Sequence, residues 1–235
     1  MILPGQLIIL GIFMLLSWIV GAQLKSRFKK YSQIPVNYRL TGKDIAEKML
    51  RDHDIHDVRV VSVQGELTDH YNPANKTLNL SQAVYYGNSV AAAAVAAHEC
   101  GHAVQHDQAY SFLQLRSALV PIQNISAKVM NIIFYVMFLG AVFFQSVINF
   151  HTALIIIIAC YGVFSLFALV TLPVEINASQ RALVWLNNSN ITAGKTHEQA
   201  KDALKWAAYT YVVAALSSLA MLFYFLMLFM GGRDD

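Results

Sequence analysis

The chain has 235 residues, 56% of them hydrophobic and only 13% charged, with a mean hydropathy of +0.45. Soluble domains carry about 25% charged residues, so this composition excludes an ordinary soluble domain. The net charge of +3 follows from basic clusters beside apolar runs and gives no reason to expect a nucleic-acid partner.

Residues 1–24, 129–174 and 206–232 contain no Asp, Glu, Lys or Arg. A bilayer core requires about 20 apolar residues per helix, so these blocks hold one, two and one spans. The first span is expected at 1–24. Its basic residues (Lys25, Arg27, Lys29 and Lys30) follow the apolar run, whereas a secretory signal carries them before it, so it reads as a retained anchor. Basic residues beside a span favour the cytoplasm, which places 25–128 there.

Within that segment Thr41 and Gly42 open a helix, and Val58–Val63 is β-branched and reads as a strand. Gly65–Tyr71 and Thr77–Leu80 suggest an antiparallel pair around the turn residues Asn72–Asn75. A helix is predicted over 88–106, capped by Ser89 or Asn88, because six of the eight residues Val90–Ala97 are alanine, the best helix former. Residues 111–128 look helical and amphipathic, with a break near Pro121. A transmembrane hairpin is expected over 129–172, turning around Gln145–Thr152, then a cytoplasmic helical segment over 173–206 and a last span over 207–230. Both termini then lie outside. Cys100 and Cys160 give no disulfide framework.

The alanine-rich helix ends in His98-Glu99-Cys100-Gly101-His102, which is H-E-x-x-H. Residues four apart share a helix face, so both imidazoles can address one zinc ion with Glu99 beside it as general base. The expected fold class is therefore a mainly α membrane protein. It has four transmembrane helices and a zincin-like α+β soluble part, with a small antiparallel sheet and the H-E-x-x-H helix.

A catalytic zinc takes three protein ligands plus water. His106 continues the i+4 row but falls about 6 Å farther along the axis than His102. The longer three-histidine motif fails, because Gln105 and Gln108 stand where it needs Gly and His. Glu175 is the better candidate, as an ionisable residue at the end of a hydrophobic segment. Two spans separate it from His102, which returns both to one side. Ser179 lies one turn on and can support a ligand. Glu66, Asp69, Glu198 and His70 are rivals. Tyr85, Tyr86 and His197 are candidate oxyanion donors, and Arg181 faces away from Glu175.

The segments H-E-C-G-H-A-V-Q at 98–105, L-P-V-E-I-N-A-S-Q-R-A at 172–182 and T-D-H-Y-N-P at 68–73, with Val84-Tyr85-Tyr86-Gly87, carry a family likeness. The chain resembles the YugP-type neutral zinc metallopeptidases of prokaryotic membranes over nearly its whole length. More distantly, the pattern at 175–179 is similar to HtpX-type membrane proteases and CAAX prenyl proteases, which place an aspartate where this chain has Ser179. The resemblance implies one zinc ion held by His98, His102 and Glu175, with Glu99 as general base.

The function expected is a gluzincin-like zinc metalloendopeptidase, multi-pass in the plasma membrane with its site on the cytoplasmic side. Its partners would be the lipid bilayer and a peptide or protein substrate, including membrane-associated ones. A zinc site inside the bilayer fits less well, because only about eight apolar residues precede His98. The non-enzymatic alternative is a membrane scaffold stapled by zinc, against which the intact Glu99 argues.

Overall fold

A computed structural model describes residues 4–143 and 149–231, with the side chains of 138–143 excluded. The chain is mainly helical. In order it forms α1 (Pro4–Tyr31), a 3-10 turn (Asn37–Arg39), α2 (Gly42–Asp52), β1 (Arg59–Val63), β2 (His70–Asn72), β3 (Thr77–Ser81) and α3 (Gln82–Tyr85). These are followed by α4 (Val90–Asp107), α5 (Ser111–Phe143), α6 (Phe150–Asn188) and α7 (Lys195–Gly231). Among the described residues, four helices (α1, α5, α6 and α7) are long and apolar enough to cross a membrane. The residues 145–148 of the expected hairpin turn lie outside the described part.

Two compact units emerge. The first comprises Met1–Ile19, Leu115–Leu172 and Tyr211–Asp235. Its packing is apolar side chain on apolar side chain: Leu154, Met221 and Phe225 are buried together, with Tyr161 and Tyr224 against them. Pro121 lies inside α5 and does not break it, contrary to the sequence expectation. Pro173 likewise lies inside α6 and does not start a new helix. A proline removes one helical hydrogen bond, and the surrounding residues of each long helix keep the rest of the ladder paired.

The second unit comprises Val20–Gln114 and Pro173–Thr210. α4 runs through its core, with Ala91–Ala94, Ala96 and Ala97 all buried. Their small side chains let α2, α3 and β3 approach the α4 backbone closely, and the same residues favour the helix locally. Ser89 is the cap: its Oγ accepts from the Ala92 N–H at 3.2 Å. Thr41 caps α2 in a reciprocal box with Asp44. Arg27 on α1 pairs with Asp202 on α7 at 2.7 Å, and the Tyr31 hydroxyl donates to the same carboxylate.

The sheet is mixed, which corrects the expected antiparallel one. β2 and β3 form the antiparallel hairpin, but β1 pairs parallel to β3, giving the order β1-β3-β2. β2 is also shorter than expected, since Gly65 and Leu67 both take positive φ and keep 64–69 out of the ladder. β3 is the central strand, and its Leu78 and Leu80 are fully buried. β2 is left as an edge strand beside α4.

Candidate metal centre

Helical spacing on α4 brings the His98 and His102 rings together edge to face, with centroids 4.8 Å apart. α6 delivers the third group. Its backbone approaches α4 closely at Gly101, where an added Cβ would lie 2.6 Å from the Ala178 carbonyl oxygen. Only a residue without a side chain permits this approach, and it sets Glu175 opposite the two histidines. Glu175 Oε2 lies 3.3 Å from His98 Nε2 and 3.5 Å from His102 Nε2, and the three side chains are only 13%, 13% and 4% exposed. His98, His102 and Glu175 form the one group of three potential metal ligands found among the described residues.

The donor set fits a metal ion. Glu175 Oε2 is buried and has no hydrogen-bond partner, although two imidazole nitrogens face it. Leaving a buried carboxylate oxygen unpartnered is costly. Ligands about 2.0–2.1 Å from a tetrahedral zinc stand roughly 3.3 Å from one another, close to the spacing between Glu175 and each imidazole, and all the donor atoms lie within 4.8 Å of one another.

The far nitrogen of each imidazole is held. His98 Nδ1 lies 3.1 Å from Ser179 Oγ. His102 Nδ1 lies 3.0 Å from Gln105 Oε1, an oxygen that can only accept, so Nδ1 carries the proton and Nε2 keeps its lone pair. Burial pulls the His102 imidazole toward its neutral form. The neighbouring carboxylates of Glu175 and Glu99 outweigh this and raise its pKa above the ordinary 6.5.

Glu99 is tied to the sheet. Its Oε2 accepts the Tyr71 backbone N–H at 3.1 Å, so an outward donor of edge strand β2 orients the carboxylate. The Tyr71 phenol reaches on to His106 Nδ1 at 2.9 Å. A cavity of about 230 Å³ opens there, lined by Tyr71, His106, Asp107, Asp57 and Lys76 among others. It follows the α4 face that begins at Glu99.

The rival ligands are not brought to the cluster. Asp69 accepts from the Ser81 backbone N–H at 2.7 Å and from its hydroxyl, and burial raises the pKa of its carboxyl, with Glu99 adding to the effect. His70 Nδ1 donates to the Thr68 carbonyl at 2.8 Å. Glu66 and Glu198 are exposed. Among the oxyanion candidates, Tyr85 and Tyr86 pack on each other and His197 bonds Thr192. Cys100 is buried, its thiol donates to the Ala46 carbonyl, and burial pushes its pKa well up, as suits a packing residue.

Three participants escaped the sequence reading: Gln105, Asn177 and the Tyr71 backbone N–H. Gln105 was legible in principle, standing one turn after His102. Asn177 and Tyr71 N–H were not, since their roles depend on which elements meet.

A family described as "Putative neutral zinc metallopeptidase" matches residues 6–230. The "Putative membrane protease YugP" of Bacillus subtilis (strain 168) is 39% identical over 220 residues, covering 94% of each chain. No solved structure matches the chain. With the match extending across both units and the whole His-His-Glu cluster, the chain belongs to the neutral zinc metallopeptidase family.

Proposed function

We propose that the protein is a membrane-embedded zinc metalloendopeptidase of the gluzincin-like type, with His98, His102 and Glu175 binding one zinc ion per chain and Glu99 acting as general base. The observation that carries this reading is the convergence of two imidazole Nε2 atoms on the unpartnered, buried Glu175 Oε2. Bound zinc supplies a Lewis acid that polarises the scissile carbonyl and lowers the pKa of water toward about 7.

The remaining work falls to the chain's own side chains. Glu99, oriented by the Tyr71 N–H, takes a proton from the water whose oxygen bonds to the carbonyl carbon. As the C–N bond breaks, Glu99 returns that proton to the departing amine nitrogen. The edge of β2 and the adjoining cavity are suited to an extended peptide running past Glu99. The basic residues at 25–30 and at Arg181, Lys195, Lys201 and Lys205 support a cytoplasmic location for the site. Membrane-associated or unfolded proteins would be its substrates.

Zinc per chain and peptide hydrolysis, measured on the detergent-purified wild type, Glu175→Ala and Glu99→Gln, test this reading. The expected outcome is about one zinc in wild type and Glu99→Gln, a clear loss in Glu175→Ala, and hydrolysis in wild type alone, with Glu99→Gln down about 10²–10⁴-fold. Full zinc in Glu175→Ala would remove Glu175 from the ligand set. Undiminished hydrolysis by Glu99→Gln would overturn the mechanism, and zinc-loaded wild type without hydrolysis would leave the stapled-scaffold alternative in play.

A further inference from the structure

The hydrogen bonds behind His102 have a direction. Arg181 can only donate. Its Nε donates to Asn177 Oδ1 at 2.7 Å, and its Nη1 donates to Gln108 Oε1 at 2.6 Å. Asn177 must therefore turn its oxygen toward Arg181. The same oxygen accepts from Gln105 Nε2 at 3.0 Å, and Gln105 Nε2 also donates to the Val174 backbone carbonyl at 2.8 Å. Both partners of that amide nitrogen are acceptors, so Gln105 Oε1 is the atom left to face His102 Nδ1.

We propose that Gln105 is a positioning residue that selects the metal-binding tautomer of His102 and fixes its distance from Glu175, with Arg181 setting the polarity of the chain through Asn177. The proposal deepens the reading of His98, His102 and Glu175 as zinc ligands and rests on it. Were the Gln105 amide reversed, its NH₂ would face His102 and favour a lone pair on Nδ1. The proton would then sit on Nε2 and block the metal. Gln105 is fully buried, so water cannot substitute for either end of the amide. Its anchor on α6 is the carbonyl of Val174, the residue before Glu175. One side chain thus ties a ligand on α4 to the backbone that carries a ligand on α6. Partners of this kind, behind a metal's direct ligands, are typically worth about 10–100-fold in metal affinity.

The test uses full-length protein in detergent and zinc affinity measured by chelator competition. Gln105→Leu should bind zinc about 10–100-fold more weakly. Arg181→Met should lose affinity by a smaller factor, and Arg181→Lys, which restores a donor-only group, should recover it. ¹⁵N shifts of the metal-free imidazoles, taken at alkaline pH, should show the Nδ1–H form of His102 in wild type and Arg181→Lys, and a mixture in Arg181→Met. A merely structural contact would lower the melting temperature without moving the tautomer.

Wild-type zinc affinity in Gln105→Leu would overturn the proposal. If that variant fails to fold, the two Arg181 variants decide, and equal affinity with an unchanged tautomer in both overturns it. Glu175→Ala serves as the control: zinc loss there with none in the Gln105 or Arg181 variants sinks this proposal alone. Retention of zinc in Glu175→Ala sinks the underlying ligand assignment.

Discussion

As a proposed zinc ligand, His102 stands between a proton and a metal. In the metal-free site its pKa is raised, because Glu175 and Glu99 outweigh the desolvation that opposes them. A raised folded-state pKa stabilises the metal-free fold fully below the unfolded value, and that contribution is lost as pH rises through the folded one. Zinc binding runs the other way, since it needs the neutral imidazole. The melting-temperature difference between zinc-loaded and chelated protein should therefore widen as pH rises through and above 6.5. Zinc affinity should fall by about tenfold per pH unit below that range for each imidazole that must lose a proton. A difference that stays flat with pH would show that His102 does not bind the metal through a titrating nitrogen. The identity of His98, Glu99 and His102 as a chemical group was legible in the sequence because their spacing is local and one helix carries all three. The Tyr71 N–H contact to Glu99 was not, because a backbone donor has no sequence signature.

At the scale of elements, the meeting of α4 and α6 decides the site. Gly101 places two helix backbones in contact, and the proposed ligands lie beside that contact. Gly101→Ala puts a Cβ 2.6 Å from the Ala178 carbonyl oxygen, so the helices must part. We expect a destabilisation of about 1–3 kcal/mol and at least a tenfold loss of zinc affinity, which metal titration with a parallel thermal melt will check. Gly162→Ala on α6, where a Cβ meets nothing within 4 Å, is the control and should be neutral or slightly stabilising. Equal behaviour of the two variants would show that the close approach is not needed. The helices themselves were legible from alanine content, caps and charge-free runs. Local pattern failed at Pro121 and Pro173, where proline signals a helix boundary but the long helices run through it. It failed again at β1, whose parallel partner β3 is not its neighbour along the chain.

For the whole molecule, the family membership and the four apolar helices describe a membrane protein, and the basic residues supply its proposed orientation. Lys30 and Asn188 are exposed in the second unit and Met230 is exposed near the end of α7, while Cys100 and Cys160 are buried. Single cysteines at positions 30 and 188 should react with a membrane-impermeant thiol reagent only after cells are opened. A cysteine at 230 should react in intact cells. The reverse pattern would place the metal centre outside and refute the cytoplasmic assignment.

By itself the sequence determined that this is a membrane protein with four apolar segments. It also determined that one helix carries two histidines and a glutamate at metal-binding spacing, and that Glu175 is a carboxylate of unusual setting. These features follow from composition and from periodicity over a few turns, where neighbours along the chain are neighbours in space. Only the tertiary structure decided that Glu175, and not Glu66, Asp69, His70 or Glu198, stands within 3.5 Å of both imidazoles. It also decided that β1 lies parallel to β3, and that Gln105 faces His102 with its oxygen. Each depends on two segments meeting at angles and distances set by burial and close packing, and no local pattern encodes such a meeting.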